Sequence, residues 1–282
     1  MKMTRSSTTF RRALVGLVMS GAMGGLAGCT VSGHPGSGGG GTGAPSYVYL
    51  TGNWQIDMTN TTAPVPFTAL SGFINEQGDN PGTDDLTTAA LQAKPGDCYV
   101  SAVTIPLQGS TQGDHLGLHS FSVNGQFVTI SATKDSTATH FTGTYTVSGG
   151  CANGAAGTLS GTKYAPLTGT YTGPITGSSP AKTIQLALTQ YTTGTGDGVF
   201  LISGTAAFTG FTCFTQGTMP STAGWVSGSS ASLTFNTNDA SGAQVVLTGT
   251  FDSTAHTLTL SSVQITGGSC SGSVGGATLT LQ

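Results

Sequence analysis

Four short motifs occur twice in this 282-residue chain, in the same order and at nearly constant spacing. The two copies of each motif lie 115 to 119 residues apart, and biased composition does not readily produce four such matches in order. The pattern indicates an internal duplication of a unit that is long enough to bury its own core. The pairs are Leu50-Thr51-Gly52-Asn53-Trp54 with Leu167-Thr168-Gly169-Thr170-Tyr171, Cys98-Tyr99 with Cys213-Phe214, Asp135-Ser136-Thr137-Ala138 with Asp252-Ser253-Thr254-Ala255, and Val147-Ser148-Gly149-Gly150-Cys151 with Ile265-Thr266-Gly267-Gly268-Ser269-Cys270.

Each unit carries the alternation of apolar and polar residues that is typical of half-buried strands. Thr and Gly are abundant, at 49 and 45 residues, which suits strands separated by tight turns. The alternation predicts an all-β fold of two tandem antiparallel β-barrel or β-sandwich domains with about eight strands each. Predicted hairpin turns are Asn124-Gly125, Asp197-Gly198 and Ser241-Gly242, and a change of phase at Ser261-Ser262 predicts a β-bulge.

Four of the five cysteines lie inside the duplicated units, where they can pair in three ways. Only one arrangement gives each unit its own bridge, namely Cys98 with Cys151 and Cys213 with Cys270. We expect these two disulfides, since an exported protein folds in an oxidising compartment. A bridge between Cys98 and Cys213 would contradict the two-unit organisation.

The N-terminal 28 residues carry four positive charges followed by a short apolar stretch, which is typical of a secretory signal. The sequence Leu26-Ala27-Gly28-Cys29 resembles the lipobox of bacterial lipoproteins. That resemblance implies cleavage before Cys29, lipidation of this cysteine and, because Thr30 follows it, sorting to the outer membrane. The predicted organisation is 1–28 signal peptide, 29–46 lipidated Cys and Gly/Ser-rich tether, 47–165 first β-domain and 166–282 second β-domain.

Removal of the signal leaves 4 Lys and no Arg against 11 acidic residues, a formal net charge of −7. A surface of this charge repels the phosphates of nucleic acid, so we expect no nucleic-acid partner. We expect contact with the membrane only through lipid on Cys29, because several acyl chains anchor a protein stably.

The sequence contains no recognisable catalytic motif, and we expect no catalytic residues, no cofactor and no enzymatic activity. Asp114, His115 and His119 are the candidate metal ligands. On a strand, however, the two imidazoles lie about 13 Å apart, so we expect no metal there. The acidic residues Asp79, Asp84 and Asp85 suit either a Ca²⁺ loop or, as we favour, a solvated turn.

Two tryptophans are the candidate binding residues. The opening Gly52-Asn53-Trp54 resembles the Gly-x-Trp start of lipocalin-type barrels, which implies an eight-stranded cup for a small apolar ligand. The same opening is similar to β-rich bacterial lipoproteins of no established function, and Trp54 also suits a plain core position. Trp225 is predicted in a Gly/Ser-rich loop, where it either stacks on a sugar ring or anchors the loop.

The sequence therefore predicts a lipid-anchored cell-envelope protein that acts as a non-catalytic binding or adhesive module. Its ligand is expected to be a glycan, a protein or a small apolar molecule. The alternatives are a purely structural envelope protein and a hydrolase whose site the sequence does not reveal. The expected location is the bacterial outer membrane.

Overall fold

The computed structural model describes residues 47–78, 84–99, 101–268 and 270–282, which belong to one compact unit. The predicted signal peptide, Cys29 and the tether lie outside the described residues. All regular elements of the described part are strands: β1 (Gly52–Asn60), β2 (Ala69–Gln77), β3 (Asp85–Ala93), β4 (Val103–Gln112), β5 (His115–Ser120), β6 (Phe127–Lys134), β7 (His140–Ser148), β8 (Ala156–Tyr164), β9 (Gly169–Pro174), β10 (Thr183–Gly194), β11 (Phe200–Thr209), β12 (Gln216–Thr218), β13 (Gly224–Ser227), β14 (Ser230–Thr237), β15 (Gln244–Phe251), β16 (Thr257–Thr266), β17 (Gly272–Ser273) and β18 (Ala277–Leu281).

The first eight strands form a closed antiparallel barrel in which each strand pairs with the next and β8 returns to β1. Strand β6 shows why these residues form a barrel wall. Its side chains are alternately exposed and buried, with Val128 and Ile130 inside and Thr129 and Ser131 outside. Thr and Val both suit a pleated surface that is buried on one side, so the alternation fixes which face is inward.

The second set of strands closes in the same way. Its order is β10, β9, β18, β16, β15, β14, then β12 and β13, then β11, which pairs back with β10. The short strands β12 and β13 together occupy one position between β11 and β14. Two antiparallel barrels with eight strand positions each are thus formed, which confirms the predicted fold class and selects the barrel over the sandwich.

The predicted turns and bulge are present. Asn124 and Gly125 have φ values of 52° and 75°, as a tight hairpin turn requires, and Gly198 and Gly242 have φ values of 76° and 75°. In the pairing of β15 with β16, Thr248 faces Ser262 but Gly249 faces Leu260, which leaves Ser261 as the extra residue of a β-bulge.

Both barrel interiors are packed with side chains. Trp54 is fully buried in the first interior, with its ring centroid 4.8 Å from that of Phe141 and its indole N–H donating to Leu50 O at 2.6 Å. Tyr171 occupies the corresponding first strand of the second barrel, where its hydroxyl donates to Ala255 O at 2.6 Å. Each aromatic residue thus contributes its apolar ring to the core and satisfies its polar group with a backbone carbonyl.

Two disulfides are formed, with the predicted pairing. Cys98 and Cys151 bridge the first barrel, with their Cα atoms 5.7 Å apart. Cys213 and Cys270 bridge the second, with a Cα separation of 6.1 Å. In each barrel the disulfide lies at the end opposite to the start of the first strand. No disulfide joins the two barrels in the described part of the chain.

The wall of the first barrel is covered where the second barrel packs against it. In β1 the residues Asn53 to Ile56 are buried in succession, and in β2 the residues Ala69 to Gly72 are buried in succession. A strand with one solvated face alternates instead. The second barrel presents its β10–β11 and β13–β14 turns to this wall and its β15–β16 turn to the end of β8. The outward-facing Asn53, Gln55 and Ser71 are therefore buried at the junction.

Candidate functional site at the junction of the two barrels

A pair of hydrogen bonds between Asn53 and Gly228 lies at the centre of the junction. The Asn53 amide Nδ2 donates to Gly228 O at 2.8 Å, and Gly228 N donates to Asn53 Oδ1 at 2.7 Å. Gly228 has φ 55°, and a Cβ there would lie 2.8 Å from the Ser71 Cβ. Only glycine fits this position without displacing its neighbours. The two barrels are therefore joined by a buried, geometrically specific contact.

Further contacts extend the junction on one side of this pair. The Ser71 and Ser227 hydroxyls lie 3.0 Å apart, and Ser227 also donates to Gly198 O at 3.1 Å. Asp197 O accepts hydrogen bonds from Gln92 Nε2 and Thr104 Oγ1, at 3.1 and 3.2 Å. These contacts fix the turns of the second barrel on strands β2 to β4 of the first.

Two edge-on aromatic pairs also join the barrels. The rings of Phe73 and Phe200 have centroids 5.5 Å apart, and those of Tyr164 and Phe251 are 5.4 Å apart. Such pairs add stabilisation beyond the area that they bury. With the polar contacts, they make the two barrels a rigid support for surfaces that both of them line.

The first such surface is a recess of about 150 Å³ beside Trp225. The prediction of a loop for this residue is wrong, because Trp225 lies in β13 and pairs with Leu201 of β11 and Ser232 of β14. Its side chain is partly buried and forms one wall of the recess. Gln92 and Lys94 of the first barrel also line it, so both barrels contribute to the surface.

The second surface is a recess of about 170 Å³ beside Tyr191, where β1 and β8 of the first barrel meet β10 and β11 of the second. The Tyr191 side chain is 56% exposed. No sequence motif marks this residue. Its position in β10 could have identified it as an outward-facing aromatic residue. Ile184, Leu186 and Leu188 face inward, and in the same alternation Tyr191 faces outward. Lys163, Thr51 and Gly52 line the recess from the first barrel.

A short segment, Tyr47–Thr51, lies over the end of the first barrel beside the second recess, and we refer to it as the strap. Glu76 of β2 is the only glutamate of the chain and has a buried side chain. Its carboxylate accepts hydrogen bonds from the Tyr47 hydroxyl and, at 2.6 Å, from Leu50 N. Thr51 Oγ1 donates to Glu76 O at 3.1 Å. The strap is thus held by both the side chain and the backbone of Glu76.

Two of the four lysines outside the signal region also hold the strap. Lys134 Nζ lies 3.5 Å from Glu76 Oε1, donates to Val48 O at 3.1 Å, and stands 4.0 Å from the centre of the Tyr47 ring. Lys163 Nζ donates to Tyr49 O at 3.0 Å. Burial lowers the pKa of Lys163, an effect that the charge of Glu76 opposes and that of Lys134 reinforces.

The pKa of the Tyr47 phenol lies well above its usual value. Burial raises the pKa of its phenol, and the hydrogen bond to Glu76 and the negative charge of that carboxylate raise it further. The phenol therefore remains protonated, and a hydrogen-bond donor, throughout the pH range in which proteins normally function. An uncharged donor at this point suits the Glu76 carboxyl group, which already has a cationic partner in Lys134.

The two candidate metal-ligand histidines lie on the outer face of β5, and Asp114 immediately precedes that strand. His115 and His119 are both exposed, and His115 Nε2 lies 3.5 Å from Asp114 Oδ1. His119 Nε2 instead lies 3.3 Å from Gln108 Nε2. Within the described ranges, no group of three His, Cys, Asp or Glu residues is close enough to hold a metal ion.

The three acidic residues of the possible Ca²⁺ loop do not all fall within the described part of the chain. Asp79 lies outside it, whereas Asp84 is exposed and Asp85 is buried at the start of β3. The structure therefore does not show these carboxylates converging.

The repeated Asp-Ser-Thr-Ala motif forms the same turn in both barrels. Asp135 Oδ1 accepts hydrogen bonds from the backbone N–H groups of Thr137 and Thr139, at 3.1 and 3.0 Å. Asp252 Oδ1 likewise accepts from Thr254 N at 2.9 Å. Partial burial raises the pKa of each carboxyl, but the hydrogen bonds outweigh it and lower the pKa of both to about 2.

These turns predict a pH-dependent contribution to stability. A lowered folded-state pKa stabilises the protein above the unfolded-state pKa near 4, and the contribution disappears as the pH falls towards about 2. We expect Asp135→Ala and Asp252→Ala each to reduce the free energy of unfolding by about 1 kcal/mol at pH 7. The difference from the unsubstituted chain should vanish near pH 2 in urea titrations. A constant difference from pH 7 to 2 would show that the carboxylate charge is not involved.

The chain matches no protein-family model, no curated protein and no solved structure. Across the ranges described, no helix has the length and apolar character needed to cross a membrane.

Proposed function

We propose that this protein is a lipid-anchored component of the bacterial cell envelope and a non-catalytic module that binds a glycan in the recess beside Trp225. The observation that carries the proposal is the position of that ring. Trp225 is partly accessible and forms the wall of a recess that both barrels line. Its indole offers an apolar face with a polar edge, which suits a sugar ring.

The surroundings of Trp225 support binding of a polar, ring-shaped ligand. Gln92, Lys94 and Ser230 place an amide, an ammonium and a hydroxyl group around the recess. Recognition sites commonly combine an apolar wall with a few such polar groups. Because the junction fixes the two barrels through Asn53 and Gly228, the recess exists before the ligand arrives and little ordering is required on binding.

A comparison of two aromatic substitutions tests the glycan proposal. The full-length chain in detergent micelles is applied to an array of bacterial glycans. Trp225→Ala should weaken binding of the retained glycans by at least about fivefold, since an aromatic stacking contact contributes on the order of 1 kcal/mol or more. Phe121→Ala is the matched control, because Phe121 is 54% exposed and does not line the recess. Equal losses in both variants would contradict the proposal.

The anchor is proposed from the lipobox-like sequence that ends at Cys29 and from the Gly/Ser-rich tether that follows it. Replacement of the cysteine by serine removes the thiol to which the lipid is attached. In cells fed a labelled fatty acid, the unsubstituted protein should therefore incorporate the label and Cys29→Ser should not. Equal labelling of the two proteins would contradict lipidation at Cys29.

We also propose that the two barrels arose by duplication of one unit. Support comes from Gly52 and Gly169 at the starts of β1 and β9, with φ values of 153° and 129°, and from the matching turns at Asp135 and Asp252. A purely structural envelope role is the second candidate. The observation that favours it is the combination of two disulfides with a fixed junction, which suits a durable spacer. Unaltered glycan retention by Trp225→Ala would favour this candidate.

A further inference from the structure

One lysine lines the recess beside Tyr191. Lys163 lines this recess and donates to Tyr49 O at 3.0 Å. An ammonium group has three hydrogens to donate. Among the residues that the structure describes, Tyr49 O is the only recorded hydrogen-bond acceptor of Lys163. A negatively charged ligand group in the recess would be a stronger acceptor for this ammonium than the neutral Tyr49 carbonyl.

The chain makes room for this lysine at Gly52. A Cβ at that position would lie 2.6 Å from the Lys163 Cε, so any other residue would displace the side chain from its path across β1. Gly52 also lines the recess. Glycine at position 52 therefore leaves room for the Lys163 side chain beside the recess.

Three aromatic residues also line the recess. Tyr191 is 56% exposed, and Tyr164 and Phe200 also line the space. The recess measures about 170 Å³. A cavity on the order of 150 Å³ accepts one six-membered ring. A ring-sized space that is lined by an exposed tyrosine and a lysine fits a cyclic ligand that carries a carboxylate.

The same lysine links the recess to the strap. Lys163 holds the strap through Tyr49 O, and Thr51 belongs both to the strap and to the lining of the recess. A carboxylate that binds the Lys163 ammonium competes with a neutral carbonyl oxygen, and charge-assisted hydrogen bonds are the stronger kind. Ligand binding in the recess would therefore weaken one of the contacts that hold Tyr47–Thr51 in place.

We propose that the recess beside Tyr191 is a second binding site, separate from that of Trp225, and that it takes a uronic acid. The sugar ring packs against Tyr191 and its carboxylate binds the Lys163 ammonium. Occupation of the site loosens the strap by drawing Lys163 away from Tyr49 O.

Two sugars that differ at one carbon test the ligand class. D-Galacturonate carries a carboxylate where D-galactose carries a hydroxymethyl group. With the full-length chain in micelles, ligand-observed NMR titrations should give galacturonate an affinity higher by about tenfold, as expected for one charge-assisted hydrogen bond. Lys163→Met keeps the aliphatic stem and should remove this preference. Equal affinities for the two sugars, or no binding of galacturonate at tens of millimolar, would overturn the proposal.

Tyr191→Ser is the variant that separates loss of binding from loss of folding, because an exposed side chain is not part of the core. It should weaken galacturonate binding on the order of tenfold and leave the unfolding transition unchanged. Trp225→Ala should bind galacturonate normally. If Trp225→Ala removes this binding and Tyr191→Ser does not, the galacturonate site is the Trp225 recess, which overturns the second site and leaves the proposed function standing.

Hydrogen exchange measured by mass spectrometry tests the link to the strap. Saturating galacturonate should increase exchange in a peptide that covers residues 47–51, and galactose at the same concentration should not. The Lys163→Met variant should show no galacturonate-dependent change. Unchanged or slower exchange of this peptide with galacturonate bound would overturn the proposed loosening of the strap.

Discussion

Glu76→Gln is expected to reduce the free energy of unfolding by about 3 to 5 kcal/mol, the range typical of breaking one partner from a buried ion pair. The substitution keeps the size of the side chain and removes its charge. Lys134, whose side chain is 5% exposed, then retains a buried ammonium without its carboxylate partner. The Tyr47 phenol and Leu50 N also lose a charged acceptor. Urea unfolding at pH 7 measures the change.

Asp114→Asn is the matched control for this experiment. It removes the same charge from a carboxylate that is 63% exposed and lies beside the exposed His115. Surface pairs of this kind contribute little, so the expected change is below about 0.5 kcal/mol. Adding Lys134→Met to Glu76→Gln should recover part of the lost stability, because an apolar side chain needs no partner. A loss below about 1 kcal/mol for Glu76→Gln would show that the ion pair does not stabilise the strap.

Removal of either disulfide is the second large effect that we expect. The bridges close loops with sequence separations of 53 and 57 residues. In the chain-entropy model, loops of this length correspond to about 4 kcal/mol of stabilisation each. The Cys98→Ala/Cys151→Ala and Cys213→Ala/Cys270→Ala double variants should therefore lose similar amounts, measured by guanidinium unfolding under oxidising conditions.

The two double variants serve as controls for each other, because their loops are nearly equal in length. A large loss in one and almost none in the other would show that the chain-entropy explanation is wrong for this protein. Losses below about 1 kcal/mol in both variants would likewise show that the chain-entropy explanation is wrong for this protein. The unsubstituted protein under reducing conditions should match a chain that lacks all four cysteines.

The barrels could be predicted from the sequence because their determinants are local. Alternation in β6 and β10 fixes the inward faces, the Asn124-Gly125 turn fixes a hairpin, and the phase change at Ser261 marks the bulge. These signals act between residues that are close along the chain. The pairing of the cysteines could be predicted from the repeated sequence motifs, which are likewise visible without coordinates.

The junction could not be predicted because it depends on contacts between residues that are far apart in the chain. Asn53 and Gly228 are 175 positions apart, and Asn53 has the outward phase of a solvated residue. Gly and Ser surround Trp225 in the sequence and predict a loop there. Pairing with both β11 and β14 overrides that local composition. Tyr191 could be predicted as an aromatic residue on an outward strand face. The recess that it lines could not, because both barrels form that recess.

Tryptophan fluorescence tests the central claim, that the recess beside Trp225 binds a glycan, most directly. The chain has two tryptophans, of which Trp54 is fully buried, so the Trp54→Phe variant reports on Trp225 alone. A glycan retained on the array should change the emission of this variant in a saturable manner and protect Trp225 from quenching by acrylamide. Retention of the glycan with no change in emission or quenching would contradict the account.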